Sequence, residues 1–321
     1  MPSNIVKPII IIGCPRSGTT LLYSILSASS ELQSLHNESR FLFRVFYKKK
    51  LDIGISFASD LLRVNDLDDE DIKYFREEFL KYSFSFRLLG KSIHKVFRKF
   101  WFLKPIEFFM VEINFLVKKI FSIKHRLIEK TPRNCFKVEM MNKLFPDAVF
   151  IFIKRDPRTN ISSLIDAWSH RKSSNKLSKR LPSIRYKLNI KGYDGADWKF
   201  ALPPGYESVV NLPLEEVCAF QWQKSNEEAL KGLERIPENR KIEISYEDLV
   251  SNTANVIKSI CTFTGIEYKG DLARLAENPP TVNYIKEKPS PEKWKKNQDL
   301  IARVVPRLEM ISEKLGYKSY N

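Results

Sequence analysis

The stretch Gly13-Cys-Pro-Arg-Ser-Gly-Thr-Thr20 carries the clearest chemistry in this chain of 321 residues. Two glycines bracketing a turn, followed by Thr19 and Thr20 at the start of an apolar helical pattern, are the parts of a loop that cradles an anion on backbone N–H groups. The phosphate-loop pattern G-x-x-x-x-G-K-[ST] is met at Gly13, Gly18 and Thr20, but Thr19 stands where the lysine belongs. The basic residue is Arg16, inside the loop. In lysine-containing loops, that lysine and a Mg²⁺ held by a strand-end aspartate together neutralise a triphosphate.

The aspartate is also misplaced. A second apolar run, VFIFI, leads into Lys154-Arg155, and Asp156 comes two residues late. Both ends of a metal–triphosphate reading are therefore weakened. What remains suits a ligand with two separate anionic ends. One would lie on the loop backbone, Arg16, Ser17, Gly18 and the Thr19 and Thr20 hydroxyls; the other would lie at Arg155.

Strands and helices must hold these groups. Ile9 to Ile12, bounded by Pro8 and Gly13, reads as a strand buried on both faces of a parallel sheet, and Leu21, Leu22, Ile25 and Leu26 recur at helical spacing after the loop. The same strand–loop–helix unit returns at Leu144 to Trp168, with RDPR as the loop and TNISSLIDAW starting the helix. Further strands are expected at Lys241 to Ser245 and Leu127 to Glu129, and a helix at Cys135 to Leu144. Such alternation predicts an α/β fold, a P-loop-like parallel sheet flanked by helices, in one domain over residues 1–321. Two insertions are expected outside the sheet, a helical one at about 44–126 and a basic, lid-like one at about 171–213. Ligands of such sheets gather at the carboxyl ends of the strands.

Taken together, these motifs resemble the PAPS-dependent sulfotransferase family, of the bacterial type and similar to the tyrosylprotein sulfotransferases. Pro15 to Thr20 reproduces that family's P-[RK]-S-G-T-T loop for the 5′-phosphosulfate of 3′-phosphoadenosine 5′-phosphosulfate (PAPS). Arg155 and Ser163 reproduce its eight-residue spacing for the 3′-phosphate, with Ser162 as an alternative contact, and Tyr246 in ISYEDLV stands where a tyrosine approaches the adenine. Glu38-Ser39-Arg40 matches an E-x-R motif, Lys130-Thr131-Pro132 a K-[DT]-P motif, and Lys293-Trp294 a late K-W pair followed by Leu315-Gly-Tyr317. The resemblance implies a sulfotransferase with PAPS as donor and 3′-phosphoadenosine 5′-phosphate (PAP) as product. It implies Glu38 as the base, with Lys130 and Arg16 stabilising charge on the transferring group, Lys293 among the donor-binding residues, and no metal. His36 is a rival base, and an extended chain would turn His36 and Glu38 to the same side.

Lys and Arg outnumber Asp and Glu by 54 to 38, a net charge of +16, which favours anionic partners without choosing among them. An ATP-Mg²⁺ kinase and a basic nucleic-acid-binding protein are the alternatives, although the aromatic and zinc signatures of nucleic-acid modules are missing and no nucleic acid is expected. The acceptor is expected to offer a hydroxyl or an amine on a glycan, lipid or small metabolite, with peptide tyrosine as the alternative. Four scattered cysteines suggest neither a zinc site nor a disulfide framework and favour a reducing, cytoplasmic setting. No apolar run is long enough to span a bilayer. Phe97, Phe100, Trp101, Phe108 and Phe109 interleave with basic residues, as in a peripheral membrane contact, but aromatics at helical spacing favour a core role. Oligomeric state leaves no mark on the sequence.

Overall fold

The computed structural model describes residues 4–35, 38–84, 104–169, 188–195, 198–280 and 292–317. Its centre is a sheet of β1 (Ile9–Ile12), β2 (Leu32–Leu35), β3 (Ser83–Phe84), β4 (Arg126–Lys130), β5 (Val149–Lys154) and β6 (Lys241–Ser245). The spatial order is β3-β2-β4-β1-β5-β6. Five strands run parallel, and β3 alone pairs antiparallel, at the β2 edge. This is the helix-flanked parallel sheet the sequence predicts.

Alternation along the central strands divides the core. Ile10, Ile12, Leu127, Phe150 and Phe152 face one apolar cluster, while Ile9, Ile11, Ile128, Ile151 and Ile153 face another. Each such side chain contributes about 1.5–3 kcal/mol by leaving water, against about 1–2 kcal/mol for ordering its backbone. The strand ends therefore stand on the best-anchored part of the molecule. The second cluster is covered by α1 (Thr19–Leu26). Over the first lie α2 (Arg40–Asp52), α3 (Asp69–Tyr82), α4 (Lys104–Ile120), α5 (Val138–Leu144), α6 (Pro157–Ser169) and α7 (Leu214–Leu233). The chain continues through α8 (Tyr246–Ser251), α9 (Thr253–Thr264), α10 (Gly270–Glu277), α11 (Gln298–Val304) and α12 (Glu309–Lys314).

Several sequence expectations need correction. Leu32–Leu35 and Ser83–Phe84 are strands, and the second lies inside the segment expected to stay out of the sheet. LQSL carries only two apolar residues, and SF ends a helical pattern, so neither announces itself. The expected helix at Cys135 to Leu144 splits into a 3-10 turn, Pro132–Phe136, followed by α5. α6 begins at Pro157, because proline's fixed φ suits a first helical turn. Within the expected lid, residues 170–187 and 196–197 lie outside the described residues, but Trp198, Ala201, Leu202 and Tyr206 are buried core. Trp198 packs edge-on against Trp168 at 5.2 Å between ring centroids.

Phe97, Phe100, Trp101, the Phe108 side chain and His36 lie outside the described residues. Phe109 does not join the core: it is 64% exposed, in a stripe with Ile113, Leu116, Val117 and Ile120 along α4. Val111, Asn114, Phe115 and Lys118, on the opposite face of that helix, turn inward instead. All four cysteines are buried free thiols. Among the described residues no helix is long and apolar enough to cross a membrane.

Candidate active site

The five parallel strands end on one edge, and the sequence-derived residues line it in strand order. Glu38 follows β2, Lys130 ends β4, the Gly13–Thr20 loop follows β1, Arg155 follows β5 and Tyr246 follows β6. Residues scattered over more than 200 positions are gathered because parallel strands must all finish on the same side.

The loop is shaped by two close approaches. Gly18 has φ +99°, and a Cβ there would stand 2.4 Å from Tyr246 Cδ2. A Cβ on Gly13 would stand 2.7 Å from the Ile153 carbonyl oxygen. Arg16 also adopts positive φ, 73°, without being glycine, a conformation costing about 1–2 kcal/mol. The surroundings enforce it. Arg155 Nη1 donates to the Arg16 carbonyl at 2.7 Å, and Asn160 Nδ2 donates to the Pro15 carbonyl at 3.0 Å. Leu21 and Leu22 N–H close on the Gly18 carbonyl. As in any helix, the N–H groups of Thr19 and Thr20 in the first turn have no partner within α1.

Two guanidinium groups meet beside this loop. Arg16 Nε donates to Ser163 Oγ at 3.3 Å, and Arg155 Nε donates to Thr159 Oγ1 at 3.0 Å. Arg155 Cζ lies 4.1 Å from the centre of the Tyr246 ring, a cation–π contact. Burial lowers the pKa of both arginines from its ordinary value, and the charge of Arg155 lowers that of Arg16 further. Arginine nevertheless stays protonated at neutral pH. Among the described residues neither forms an ion pair with a carboxylate. The charges of Asp166 on Arg16, and of Glu247 and Asp156 on Arg155, offset part of this at longer range, but two half-buried like charges close together remain costly for a fold to keep.

Ser163, not Ser162, faces Arg16; Ser162 is buried and accepts from Asn297 Nδ2 at 2.9 Å. Asn297 closes the 3-10 turn Lys293–Asn297. That turn docks on α6 through the Trp294 ring beneath Arg158 (5.0 Å) and the Lys296–Asp166 ion pair (2.6 Å), and Lys293 is its first residue. The Ser17 hydroxyl is buried, close to Gly13, and has no hydrogen-bond partner among the described residues. Asp156 accepts from the N–H groups of Arg158 (2.8 Å) and Thr159 (3.3 Å), capping α6.

On the β2–β4 side, Lys130 Nζ donates to Glu38 Oε1 at 2.9 Å and to Thr20 Oγ1 at 3.4 Å. The Lys130 side chain is 9% exposed and that of Glu38 34%, so the carboxylate sits at the mouth and the ammonium deeper. The sequence suggests Arg40 as the neighbour of Glu38; the carboxylate pairs with Lys130, while Arg40 opens α2 on the exposed side.

Sequence reasoning misses three groups. Asn160 grips the loop, five residues past Arg155 in RDPRTN. Glu247 accepts from the Asp156 N–H at 3.2 Å and the Tyr317 hydroxyl at 3.0 Å, joining the R-D-P, Y-E-D and L-G-Y segments. Glu129 is a buried carboxyl on β4. Its signal was available: alternation with Leu127 demands an apolar residue there.

A parallel sheet whose first strand feeds a glycine loop and a helix, with two half-buried arginines beside that loop, defines an α/β protein with a P-loop-like site. A family model described as the sulfotransferase family matches residues 8–196 and 195–270. The chain belongs to that family and is a sulfotransferase by class. Among solved structures it is similar to the sulfotransferase domain from the curacin biosynthetic pathway, at 18% identity over 98% of this chain and 99% of that one, with TM-score 0.48. It is likewise similar to the sulfotransferase domain of the Synechococcus PCC 7002 olefin synthase, at 17% identity over 99% and 97%, with TM-score 0.49. A sulfotransferase from Mycobacterium avium aligns at 16% identity over 98% and 76%, with TM-score 0.48. No curated protein sequence matches the chain significantly.

Proposed function

We propose that this enzyme transfers a sulfuryl group from PAPS to a hydroxyl, or an amine, of a glycan, lipid or small metabolite. The observation that carries the reading is the Arg16–Arg155 pair: two half-buried guanidiniums, tied through the Arg16 carbonyl, neither of which forms an ion pair with a carboxylate among the described residues. PAPS supplies a sulfuryl group on a phosphate leaving group, and a second phosphate at the 3′ position. The loop N–H groups, Arg16 and the Thr19 and Thr20 hydroxyls would hold the 5′ end. Arg155 and Ser163 would hold the 3′-phosphate, with Tyr246 beside the adenine and Lys293 contributed by the 3-10 turn.

The order along the sheet edge then sets the chemistry. The acceptor enters on the β2–β4 side, where Glu38 takes the proton from its hydroxyl. The acceptor oxygen bonds to sulfur as the bond from sulfur to the 5′-phosphate oxygen breaks, and that oxygen leaves with the electron pair. Proton uptake by Glu38 cancels its ion pair with Lys130, and the ammonium becomes available to the leaving oxygen. A positioned base contributes roughly 10²–10⁴-fold, and a charge-assisted donor at developing charge about 3 kcal/mol. Arg16, Arg155 and Lys130 supply the positive field, so the reaction is proposed to need no metal.

Calorimetric titration with PAP and with ATP-Mg²⁺ tests the reading. Binding of PAP, with transfer unaffected by EDTA, is expected. Binding of ATP-Mg²⁺ alone would favour the kinase alternative. Nucleic-acid binding that falls steeply with salt and ignores PAP would favour the third.

A further inference from the structure

Glu129 occupies a position that the strand pattern reserves for an apolar side chain, and it is 2% exposed. Its Oε1 accepts from the Ser39 hydroxyl, from Thr131 Oγ1 at 2.7 Å and from Asn134 Nδ2 at 3.3 Å. Ser39 N–H in turn donates to Thr131 Oγ1 at 2.9 Å. Ser39, Thr131 and Asn134 are all fully buried. Burial pushes the Glu129 carboxyl up from the ordinary carboxylate range, while these hydrogen bonds and Lys130 pull it down.

An apolar residue at 129 would fill this space without the cost of desolvating a carboxyl, but it would fix nothing in direction. One carboxylate oxygen gathering three donors does, because each bond constrains the orientation of the group that gives it. The donors come from the two segments that matter. Ser39 directly follows Glu38, and Thr131 directly follows Lys130. The clamp thus holds the residue next to each member of the Glu38–Lys130 pair, from the face of β4 opposite to the one where Lys130 reaches Thr20.

We propose that Glu129 is a positioning residue for the reaction: through Ser39 and Thr131 it sets the distance and angle of the Glu38 carboxylate relative to Lys130 and the acceptor. This rests on the reading of Glu38 as the base. The carboxyl itself meets neither donor nor acceptor, so its loss should move turnover and leave nucleotide binding alone.

The test compares Glu129→Gln, Thr131→Val, Thr131→Ser and Glu38→Gln in the full chain, reading kcat, KM for the acceptor and the Kd for PAP. Glu129→Gln and Thr131→Val should each lower kcat about tenfold or more, as a displaced catalytic group does, with the PAP Kd within about twofold. Thr131→Ser, which keeps the hydroxyl, should restore most of that loss. Adding Glu129→Gln to Glu38→Gln should lower kcat no further, since the two act on one step. Wild-type kcat in Glu129→Gln beside a crippled Glu38→Gln overturns this inference alone; wild-type kcat in Glu38→Gln removes the base and the inference with it. Loss of PAP affinity in step with kcat reduces the clamp to a structural one and also overturns it. If Glu129→Gln does not fold, the Thr131→Val and Thr131→Ser pair decides: equal kcat in those two sinks the proposal.

Discussion

Arg155 donates from Nη1 to the main-chain carbonyl of Arg16 at 2.7 Å, so one cation of the site is the strut that holds the other in its left-handed conformation. Removing Arg155 would therefore remove the proposed phosphate ligand and also relax the loop that carries Arg16. Arg155→Ala should weaken PAP by about 3 kcal/mol, on the order of a hundredfold in Kd, the scale of a lost charge-assisted contact. Isothermal titration measures it. Arg155→Lys should rescue little, because a lysine cannot keep both the planar stacking on Tyr246 and the reach to the carbonyl.

Glu38→Gln separates binding from chemistry. With the loop and Arg155 intact, PAP should bind as in the wild type, while kcat falls about 10²–10⁴-fold if Glu38 takes the proton. Steady-state kinetics beside a PAP titration checks both halves. Undiminished turnover would transfer the role to His36 or another group.

Gly18→Ala tests the packing of the loop against Tyr246. The added Cβ would meet Tyr246 Cδ2 at 2.4 Å, at a backbone φ of +99°. The expected cost is about 1–3 kcal/mol in stability, with a larger loss in PAP affinity as the ring is driven from beneath Arg155. Thermal unfolding with and without PAP reads both. A variant with unchanged Tm and unchanged PAP shift would contradict the geometry.

Lys118 gives a pH signature remote from the site. Its Nζ donates to Gln33 Oε1 at 2.8 Å and to Ser83, whose hydroxyl also bonds His125 Nε2 at 2.8 Å. Burial pushes the Lys118 ammonium down from 10.5 to about 7 and, with the charge of Lys118, pushes His125 down to about 3. Between about pH 7 and 10 the unfolded chain holds the lysine proton and the native state does not. Stability should therefore rise with pH across that window, with a slope of at most about 1.4 kcal/mol per pH unit from this group. Lys118→Met should flatten that rise in denaturant titrations at several pH values; an unchanged slope would assign it elsewhere.

The sequence by itself determined the architecture and the place of the glycine loop in it. Ile9 to Ile12 and VFIFI can only be strands buried on both faces, and Gly13, Gly18, Arg16 and Arg155 stand at their ends because carboxyl ends of parallel strands are where such loops lie. It could not see β2 or β3, since LQSL and SF carry too little periodicity and become strands only because a parallel sheet offers them an edge. It also read Phe109 as core, because helical spacing reports which residues share a face and never whether a partner covers it. What only the tertiary structure decided are the partnerships: Glu38 with Lys130, Arg155 with the Arg16 carbonyl, Ser163 rather than Ser162 toward Arg16, and Glu129 beneath both Ser39 and Thr131. These contacts join segments up to 147 residues apart, and their geometry depends on strand order and on the face each residue takes, quantities that no local pattern encodes.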